Sequence, residues 1–291
     1  MPELPEVEVT RRSIEPFLVG RKIARLRATS PSYFFLTPPA TLRRHLAGRT
    51  AAALVRRGKY LVAELDDENR PLLHLGMTGQ LFTEGASSVR LMSASASSVL
   101  PPERQTRFRP DLHTHLRFEF ADGGSGVFFR DARKFGKVQL LAPGEQSERL
   151  DRLGTDALEI TGRELFAATR KRKVAIKNLL IDQSIIAGTG NIYADEALFL
   201  AGVRPRRQAR RVTRAESEAL ASAVRSVLQR SIDTGGSSIS DYVAADGSDG
   251  QYQDERRVYA RKGLPCGSCE APIRRIVIGQ RSAHYCPTCQ R

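Results

Sequence analysis

The chain has 291 residues, which is enough for two ordinary domains, and its 41% hydrophobic content is typical of a soluble globular protein. Its 46 Lys and Arg residues outnumber its 32 Asp and Glu residues, and the resulting formal charge of +14 predicts a polyanionic partner such as nucleic acid. The acidic N-terminus and the absence of any apolar run approaching about 18 residues argue against a signal peptide and a membrane span. We therefore expect a cytoplasmic protein that binds nucleic acid and no membrane.

The first ten residues, MPELPEVEVT, place a secondary amine beside carboxylates at the start of a predicted helix. Removal of Met1 would leave the ring nitrogen of Pro2 free, and an α-amino group of this kind is about one-tenth neutral at pH 7. A secondary amine that adds to a sugar carbon gives an iminium, which favours elimination chemistry, and Glu3 or Glu6 can carry the protons. The alternative is an ordinary helix N-terminus, where proline and glutamate are also favoured.

Up to residue 142 the chain shows mainly β-strand patterns. A predicted helix at 4–18 and another around 39–47 accompany short β-patterned runs at 21–29, 51–57, 59–65, 71–76, 112–120 and 125–130. In the run 112–120, Leu112 and the alternate residues after it are predicted to face a core, while His113 and His115 face solvent. The pattern indicates an antiparallel β-sandwich or barrel. Residues 85–110 are predicted to form a long loop.

Beyond Pro143 the pattern becomes helical. Capping-box patterns predict two helix starts, at Thr161 with Glu164 and at Thr213 with Glu216. A helical domain is therefore expected over about 145–233. The Gly-, Ser- and Asp-rich run at 234–251 is predicted to be a mobile loop.

The cysteines lie in a single C-terminal cluster. Two C-x2-C pairs separated by sixteen residues can close a tetrahedron around zinc, and a closed site of this kind is structural rather than catalytic. Free thiols or two disulfides are the alternative. The residues between the pairs are predicted to form a β-hairpin that turns near Gly279 and carries Arg281 at its tip. The cysteines are Cys266, Cys269, Cys286 and Cys289.

The sequence GTGN, residues 188–191, opens a predicted helix. Exposed N–H groups at such a helix start bind phosphate, and the basic residues 171–173 lie just upstream. Asn191 is therefore a candidate DNA-phosphate ligand, with a helix N-cap as the alternative. A nucleotide-binding fingerprint is excluded because GTG is too short and follows no predicted strand.

Two predicted turns carry side chains that are unusual in solvent. Met77 lies on the turn at 74–79, and Arg133 and Phe135 lie on the turn at 130–136. Apolar wedges that enter the base stack, with an Arg that bonds an unpaired base, kink DNA and fill a gap in its stack. The alternative is that Met77 and Phe135 belong to the core. Lys59 is either a phosphate ligand or an exposed lysine at a strand edge.

Together these motifs resemble those of the formamidopyrimidine-DNA glycosylase family, bacterial enzymes that excise oxidised purines such as 8-oxoguanine. They follow the family's order along nearly the whole chain, as MPELPEVE, RRGKYL, HLGMTG, RKFG, GTGNIYADE, VYARKGLPC and the four-cysteine hairpin. The resemblance implies an α+β multidomain fold: an N-terminal β-sandwich flanked by helices, a helix-two-turns-helix domain and a C-terminal four-cysteine zinc-finger β-hairpin. The expected boundaries are 1–142, 143–254, with a lesion-capping loop at 234–251, and 255–291.

The resemblance also implies a bifunctional glycosylase and AP lyase. Pro2 would form the Schiff base, Glu3 would donate a proton, Glu6 would support them, and Lys59 and Arg281 would assist β- and δ-elimination. The implied DNA contacts are Lys59, Met77, His113, Arg133, Lys134, Phe135, Arg172, Asn191 and Arg281. One structural Zn²⁺ on the four cysteines, damaged double-stranded DNA as the partner, no organic cofactor and a nucleoid-associated monomer are expected.

The resemblance has departures and leaves two alternatives. The usual Lys of the basic cluster is Arg172, the common His-Asp-His is His113-Thr114-His115, and the loop 85–110 is longer than the family pattern predicts. The family's usual Arg-Arg-Phe is Arg133-Lys134-Phe135 here, which keeps the charge but loses a planar fork at the second position. An oxidised-pyrimidine glycosylase of the endonuclease VIII type is one alternative, although PELPE favours the purine branch. A zinc-finger DNA-binding relative without catalysis is the other, and the presence of Pro2, Glu3 and Lys59 argues against it.

Overall fold

The structure is a computed structural model that describes residues 1–86, 108–238 and 242–291. The chain divides into two compact units, residues 1–147 with 234–251 and residues 148–233 with 252–291. The long loop expected at 85–110 falls largely on residues 87–107, outside the described part. The predicted α+β fold is confirmed, while the three domain boundaries stay predictions.

The described part of the first unit contains two helices and two four-stranded antiparallel sheets. The helices are α1 (Leu4–Leu18) and α2 (Pro39–Leu46), and the strands are β1 (Ile23–Ala28), β2 (Ala51–Arg57), β3 (Tyr60–Leu65), β4 (Arg70–His74), β5 (Gly79–Thr83), β6 (Thr114–Phe120), β7 (Val127–Asp131) and β8 (Lys137–Leu141). The sheet orders are β2-β3-β4-β8 and β1-β6-β7-β5. Both predicted helices and all six predicted strand runs are confirmed. The sequence did not reveal β5, because every residue in it is buried and the alternation of polar and apolar residues is missing.

Helix α1 is held by the core of the first unit. Its apolar residues Val7, Ile14 and Leu18 are buried in one cluster with residues of both sheets. Truncation of a buried side chain such as Ile14 to Ala typically costs about 2–5 kcal/mol. The helix ends at Leu18, and Gly20 adopts a positive φ of 77° that glycine tolerates at no steric cost. The core therefore fixes the chain's first turn against the sheets.

The predicted alternation along β6 is wrong at its start. Leu112 precedes the strand and is 80% exposed, whereas His115 is 1% exposed. A register shift between Thr114 and Leu116, where β6 pairs with β7, inserts an extra residue and turns His115 inward. Its ring packs on Phe34 at a centroid distance of 5.0 Å. Burial lowers the pKa of His115, so the neutral imidazole is favoured.

The second unit is mainly helical. Its helices are α3 (Glu148–Asp151), α4 (Gly162–Thr169), α5 (Ile176–Leu180), α6 (Asn191–Leu200), α7 (Arg214–Asp233) and α8 (Tyr252–Glu255), and its strands are β9 (Thr155–Asp156), β10 (Ile186–Ala187), β11 (Arg274–Ile278) and β12 (Arg281–Tyr285). Both predicted capping boxes are present, and β11 and β12 form the predicted hairpin. Among the described residues, no helix is both long and apolar enough to cross a bilayer.

The run 234–251, which its composition predicts to be a mobile loop, packs largely inside the first unit over its described residues, 234–238 and 242–251. In the described part of this run, Tyr242, Val243 and Ala245 are buried. The backbone N–H of Thr83 on β5 donates to the carbonyl of Ala245 at 3.3 Å. A side chain on Gly250 would collide with the backbone of residue 236, so glycine permits a close approach there. The small residues that suggest mobility thus also allow tight packing.

Candidate active site and metal centre

Pro2, Glu3 and Glu6 lie together at the buried start of α1. One carboxylate organises this cluster, because Glu6 Oε2 accepts the backbone N–H of Glu3 at 2.8 Å. The other oxygen, Glu6 Oε1, accepts the backbone N–H of Ser237 at 2.9 Å. Glu6 therefore joins the chain's first residues to the run 234–251 within the same unit. Sequence reasoning missed Ser237, whose backbone contact no pattern of side chains reveals.

The next carboxylate, Glu8, forms an ion-pair network on the second turn of α1. Arg11 and Arg12 pair with it, as the helical spacing predicts, at 3.1 and 2.8 Å. Arg56 on β2 joins them at 3.2 Å. Burial opposes ionisation of Glu8, but the hydrogen bonds from Arg11 and Arg12 outweigh it and hold the pKa of this carboxyl below its ordinary value. The network ties α1 to the end of β2.

Lys59 lies on the turn between β2 and β3 and is only 7% exposed. The alternative of an exposed lysine at a strand edge is therefore wrong. Gly58 has a positive φ of 56°, and its carbonyl accepts a hydrogen bond from Arg56 at 3.1 Å. The Glu8 network thus fixes the turn that presents Lys59.

Met77 and Phe135 are 39% and 43% exposed, so neither belongs to the core. The guanidinium of Arg133 lies over the Phe135 ring, 4.7 Å from its centroid. The two turns touch, because a side chain on Gly76 would collide with the backbone of Phe135. The structure therefore presents the three predicted wedge side chains from adjacent turns. Lys134, at the centre of the second turn, has a positive φ of 56° and is half-buried.

A buried carboxylate that sequence reasoning missed, Asp131, holds these two turns together. Its Oδ1 accepts the hydroxyl of Thr78 at 2.5 Å and the backbone N–H of Arg133 at 3.2 Å. Its Oδ2 accepts the backbone N–H of Gly136 at 2.7 Å. The signal in the sequence is an acid at the end of an apolar strand, directly before a turn bounded by glycine. Asp131 contacts donors from both turns and so sets their relative position.

His113, which precedes β6, lies beside the backbone of Asp131. Its carbonyl accepts the backbone N–H of Asp131 at 2.9 Å, and its own N–H donates to Asp111 Oδ1 at 3.0 Å. The side chain is half-buried. The structure therefore brings His113 close to the turn at 130–136 in the first unit.

The remaining predicted DNA contacts lie in the second unit. Gly190 is the N-cap of α6 and Asn191 its first residue, so the N-cap alternative for Asn191 is wrong. The Asn191 amide donates to the hydroxyl of Ser282 at 3.3 Å, which places it next to the exposed Arg281 on the hairpin. Arg172 is exposed and donates to the carbonyl of residue 168 at 2.6 Å. Asn191 thus lies against the hairpin strand that begins with Arg281.

A buried charge network, also missed from sequence, joins α5 and α6 to the hairpin. The Lys177 ammonium lies 2.5 Å from Asp195 Oδ1, and Asp195 Oδ2 accepts the backbone N–H of His284 at 2.8 Å. The adjacent Glu196 accepts backbone N–H groups of residues 257–259 at 2.7 to 3.0 Å, while burial raises the pKa of Glu196. Two carboxylates of one helix therefore hold the C-terminal segment in place.

The four cysteines form a closed cluster at the base of the hairpin. Their sulfur atoms all lie within 4.8 Å of one another, with Sγ separations of 3.9 Å for Cys266 and Cys289 and 3.4 Å for Cys269 and Cys286. Tetrahedral zinc with bonds of about 2.3 Å requires sulfur separations of about 3.8 Å. The donor set therefore fits Zn²⁺, and the prediction of one structural zinc site is confirmed.

Comparison with known families accounts for most of the chain. Residues 1–138 match the formamidopyrimidine-DNA glycosylase N-terminal domain, residues 153–243 match the H2TH domain of the same enzymes, and residues 263–291 match a zinc finger found in FPG and IleRS. Formamidopyrimidine-DNA glycosylases of Paracoccus denitrificans and Thioalkalivibrio sulfidiphilus are 43% and 41% identical, with full coverage of both chains.

Solved structures give the same result at the level of the fold. A Lactococcus lactis FPG variant bound to Fapy-dG-containing DNA is 33% identical, has a TM-score of 0.83, and is matched over 100% of both chains. MutM bound to DNA that contains carbocyclic 8-oxo-G is 32% identical with a TM-score of 0.83, again over 100% of both chains.

Proposed function

The chain belongs to the formamidopyrimidine-DNA glycosylase family, and from that premise we propose that Pro2 is the nucleophile with which it excises oxidised purines. The protein is a DNA glycosylase with AP lyase activity in base excision repair. The observation that carries the proposal for Pro2 is its position beside Glu3 and Glu6 at the buried start of α1. Burial of these carboxyl groups excludes water and makes proton transfer at the site selective.

The proposed reaction begins once Met1 has been removed. The Pro2 nitrogen attacks C1′ of the damaged nucleotide, the bond from C1′ to the base breaks, and the base leaves with a proton. The sugar ring then opens: the bond from C1′ to O4′ breaks, O4′ takes up a proton, and an iminium forms between C1′ and the Pro2 nitrogen. The iminium draws electrons from C2′, so that loss of a C2′ proton expels the 3′ phosphate, and a second elimination with loss of a C4′ proton expels the 5′ phosphate. Glu3 carries protons to and from the sugar, and Glu6 holds the backbone of Glu3.

The other predicted site residues take roles in DNA binding under this proposal. Lys59, Arg172, Asn191 and Arg281 hold phosphates, which position the duplex without reading its sequence. Lys59 and Arg281 also assist β- and δ-elimination, respectively. Met77, Arg133 and Phe135 fill the gap left by the extruded nucleotide, with His113 and Lys134 beside them. The zinc, when bound, supplies folding energy to the hairpin that carries Arg281. Oxidised purines are favoured because solved relatives hold DNA with Fapy-dG and 8-oxo-G.

Three further features belong to the same proposal. The protein acts as a monomer on DNA in the cytoplasm, it needs no organic cofactor, and its domains follow the boundaries 1–142, 143–254 and 255–291. Light scattering of the purified protein, alone and with one equivalent of lesion duplex, tests the first of these. A mass of one chain per duplex supports it, and two chains per duplex contradicts it.

Single-turnover release of the damaged base from matched duplexes tests the proposed reaction. One duplex carries 8-oxoguanine and the other an oxidised pyrimidine in the same sequence. We expect faster release of 8-oxoguanine, and a fall of about 10²–10⁴-fold in the release rate for Glu3→Gln, since general acid–base catalysis contributes about that factor. Faster release of the pyrimidine would support the endonuclease VIII-type alternative. An unchanged rate in Glu3→Gln would remove Glu3 from the mechanism.

A further inference from the structure

Tyr33, in the connection between β1 and α2, contacts the turn at 130–136 from a distant part of the sequence. Its hydroxyl donates to the backbone carbonyl of Arg133 at 2.8 Å. The ammonium of Lys137 lies 5.0 Å from the centroid of the Tyr33 ring and donates to the carbonyl of Gly136 at 3.1 Å. Tyr33 is 60% exposed. Its side chain therefore adds little to the core, and these contacts join it to the turn.

The segment that carries Tyr33 is fixed along the edge of β8. Phe34 is fully buried, and its carbonyl accepts the backbone N–H of Val138 at 3.0 Å. The backbone N–H of Leu36 donates to the carbonyl of Val138 at 2.8 Å, and Phe35 forms a parallel bridge with the same residue. The segment thus runs beside β8 as a short additional strand. Tyr33 is held at its start, next to the turn that leads into β8.

The Tyr33 hydroxyl completes the hydrogen bonds around the backbone of Arg133. The backbone N–H of Arg133 donates to Asp131 Oδ1 at 3.2 Å and to Thr78 Oγ1 at 3.3 Å. Its carbonyl belongs to the peptide unit that leads into Lys134, whose positive φ of 56° is unfavourable for a residue other than glycine. Such a conformation persists only where its surroundings hold it. Tyr33 holds the carbonyl side of Arg133, as Asp131 holds the N–H side.

We propose that Tyr33 is a positioning residue for the choice of the base opposite the lesion. The proposal rests on the proposed function, in which the guanidinium of Arg133 donates to the cytosine left without its partner. Hydrogen bonds weaken steeply as their angle departs from a straight line, so a small rotation of the Arg133 backbone moves the guanidinium away from the acceptors of cytosine. The bond from Tyr33 to the Arg133 carbonyl opposes that rotation.

A direct contact between the Tyr33 ring and a base is the alternative, because exposed aromatic rings can stack on bases. Two observations favour positioning. The ammonium of Lys137 lies over one face of the ring, and the hydroxyl is engaged by the carbonyl of Arg133. The ring and the hydroxyl are both used in contacts with the turn.

The test separates the hydroxyl from the ring. Tyr33→Phe removes the hydroxyl and keeps the ring, whereas Tyr33→Leu removes both. Tyr285→Phe removes the same group from a half-buried tyrosine of β12 in the second unit and is the control. Single-turnover cutting of duplexes with 8-oxoguanine opposite cytosine and opposite adenine gives the preference of each variant, and thermal unfolding is measured in parallel.

We expect the cytosine preference to fall roughly twofold to tenfold in Tyr33→Phe, the factor that the net loss of one hydrogen bond produces, and at least as far in Tyr33→Leu. Tyr285→Phe should keep the preference of the wild type. A preference that survives in Tyr33→Phe but falls in Tyr33→Leu would assign the effect to the ring and overturn the proposal. A lower melting temperature of Tyr33→Phe with an intact preference would show a merely structural role and would also overturn it.

A double variant tests whether Tyr33 acts through Arg133. Adding Tyr33→Phe to Arg133→Ala should change the remaining preference by less than about twofold, because two residues in one chain of contacts are not additive. A further fall as large as that in the wild-type background would mean that Tyr33 acts independently of Arg133. An undiminished preference in Arg133→Ala would refute the role of Arg133 and with it this proposal. Loss of the preference in Arg133→Ala together with its retention in Tyr33→Phe would overturn the role of Tyr33 alone.

Discussion

Arg133 is the residue on which the choice of the opposite base depends in the proposed mechanism. Its exposed guanidinium lies over Phe135 on a turn that Asp131 holds in place. An Arg in the vacated stack donates to the acceptors of cytosine but meets a donor on adenine. Such a mismatch costs about 1–3 kcal/mol, or roughly tenfold to a hundredfold in discrimination.

Arg133→Ala should therefore flatten the preference for a lesion opposite cytosine over a lesion opposite adenine. Single-turnover cutting of the two duplexes measures this preference. Asn191→Ala is the matched comparison, because loss of the phosphate contact that we propose for Asn191 should weaken binding to both duplexes about equally. A cytosine preference that persists undiminished in Arg133→Ala would place the reading of the opposite base elsewhere, with Lys134 as the next residue to test.

At the scale of single residues, sequence and structure agree where a side chain has a characteristic chemistry. Exposed Met77 and Phe135 on glycine-bounded turns are recognisable because apolar side chains are unusual there. Asp131 is not recognisable in this way, because its partner Thr78 is 53 residues distant in sequence. The buried pair of Lys177 and Asp195 is also hidden, because the two residues are 18 positions apart in the sequence. Charged residues in a helix normally lie on a solvated face, whereas both of these are fully buried.

Asp131 and Thr78 join the turns at 74–79 and 130–136, which carry Met77, Arg133 and Phe135. Thr78→Val removes the hydroxyl that donates to Asp131 and leaves a buried acceptor short of a partner, whereas Thr78→Ser keeps the donor. We expect Thr78→Val to lower the free energy of unfolding by about 1–3 kcal/mol and to reduce the opposite-base preference. Thr78→Ser should preserve the preference.

The measurements are thermal unfolding and the same pair of single-turnover assays. A merely structural role of Thr78 would lower stability and leave the opposite-base preference intact. The same preference in Thr78→Val and Thr78→Ser would therefore show that the bond to Asp131 does not position the wedge.

The C-terminal hairpin is the element that zinc stabilises. Cys269→Ser removes one of four ligands, so we expect loss of zinc, reduced stability of the hairpin and weaker DNA binding, with the nucleophile unaffected. Atomic absorption gives the zinc content, and titration with lesion duplex gives the affinity. Ser268→Ala, a change at the neighbouring exposed residue, should retain zinc and affinity. Normal DNA binding and cutting by a zinc-free Cys269→Ser protein would refute this role.

Secondary-structure elements were predictable where their patterns are local. The capping boxes at Thr161 and Thr213 mark helix starts correctly because their bonds span only three residues. The burial of His115 on β6 was not predictable from local sequence, since the register shift that buries it arises from pairing with β7. Strand β5 was not predictable either, because a fully buried strand has no alternation of polar and apolar residues to detect.

At the scale of the whole molecule, chain order and spatial grouping differ. Residues 234–251 follow the long helix α7 of the second unit, yet they belong to the first unit, where Ser237 donates to Glu6. Composition predicts only that this run is a connection, because packing against a distant helix leaves no periodic signal in small residues. The net charge of +14, by contrast, predicts a polyanionic partner from composition alone, and the family's DNA complexes agree with nucleic acid as that partner.

In the proposed mechanism the Pro2 nitrogen becomes covalently attached to the damaged nucleotide. Borohydride reduction during the reaction with an 8-oxoguanine duplex, followed by mass spectrometry of the peptides, identifies the attached residue. We predict that it is Pro2, and that a protein with one extra N-terminal residue binds the duplex but is neither trapped nor able to cut. Trapping at Lys59 in the native protein, or undiminished trapping of the extended protein, would contradict the account.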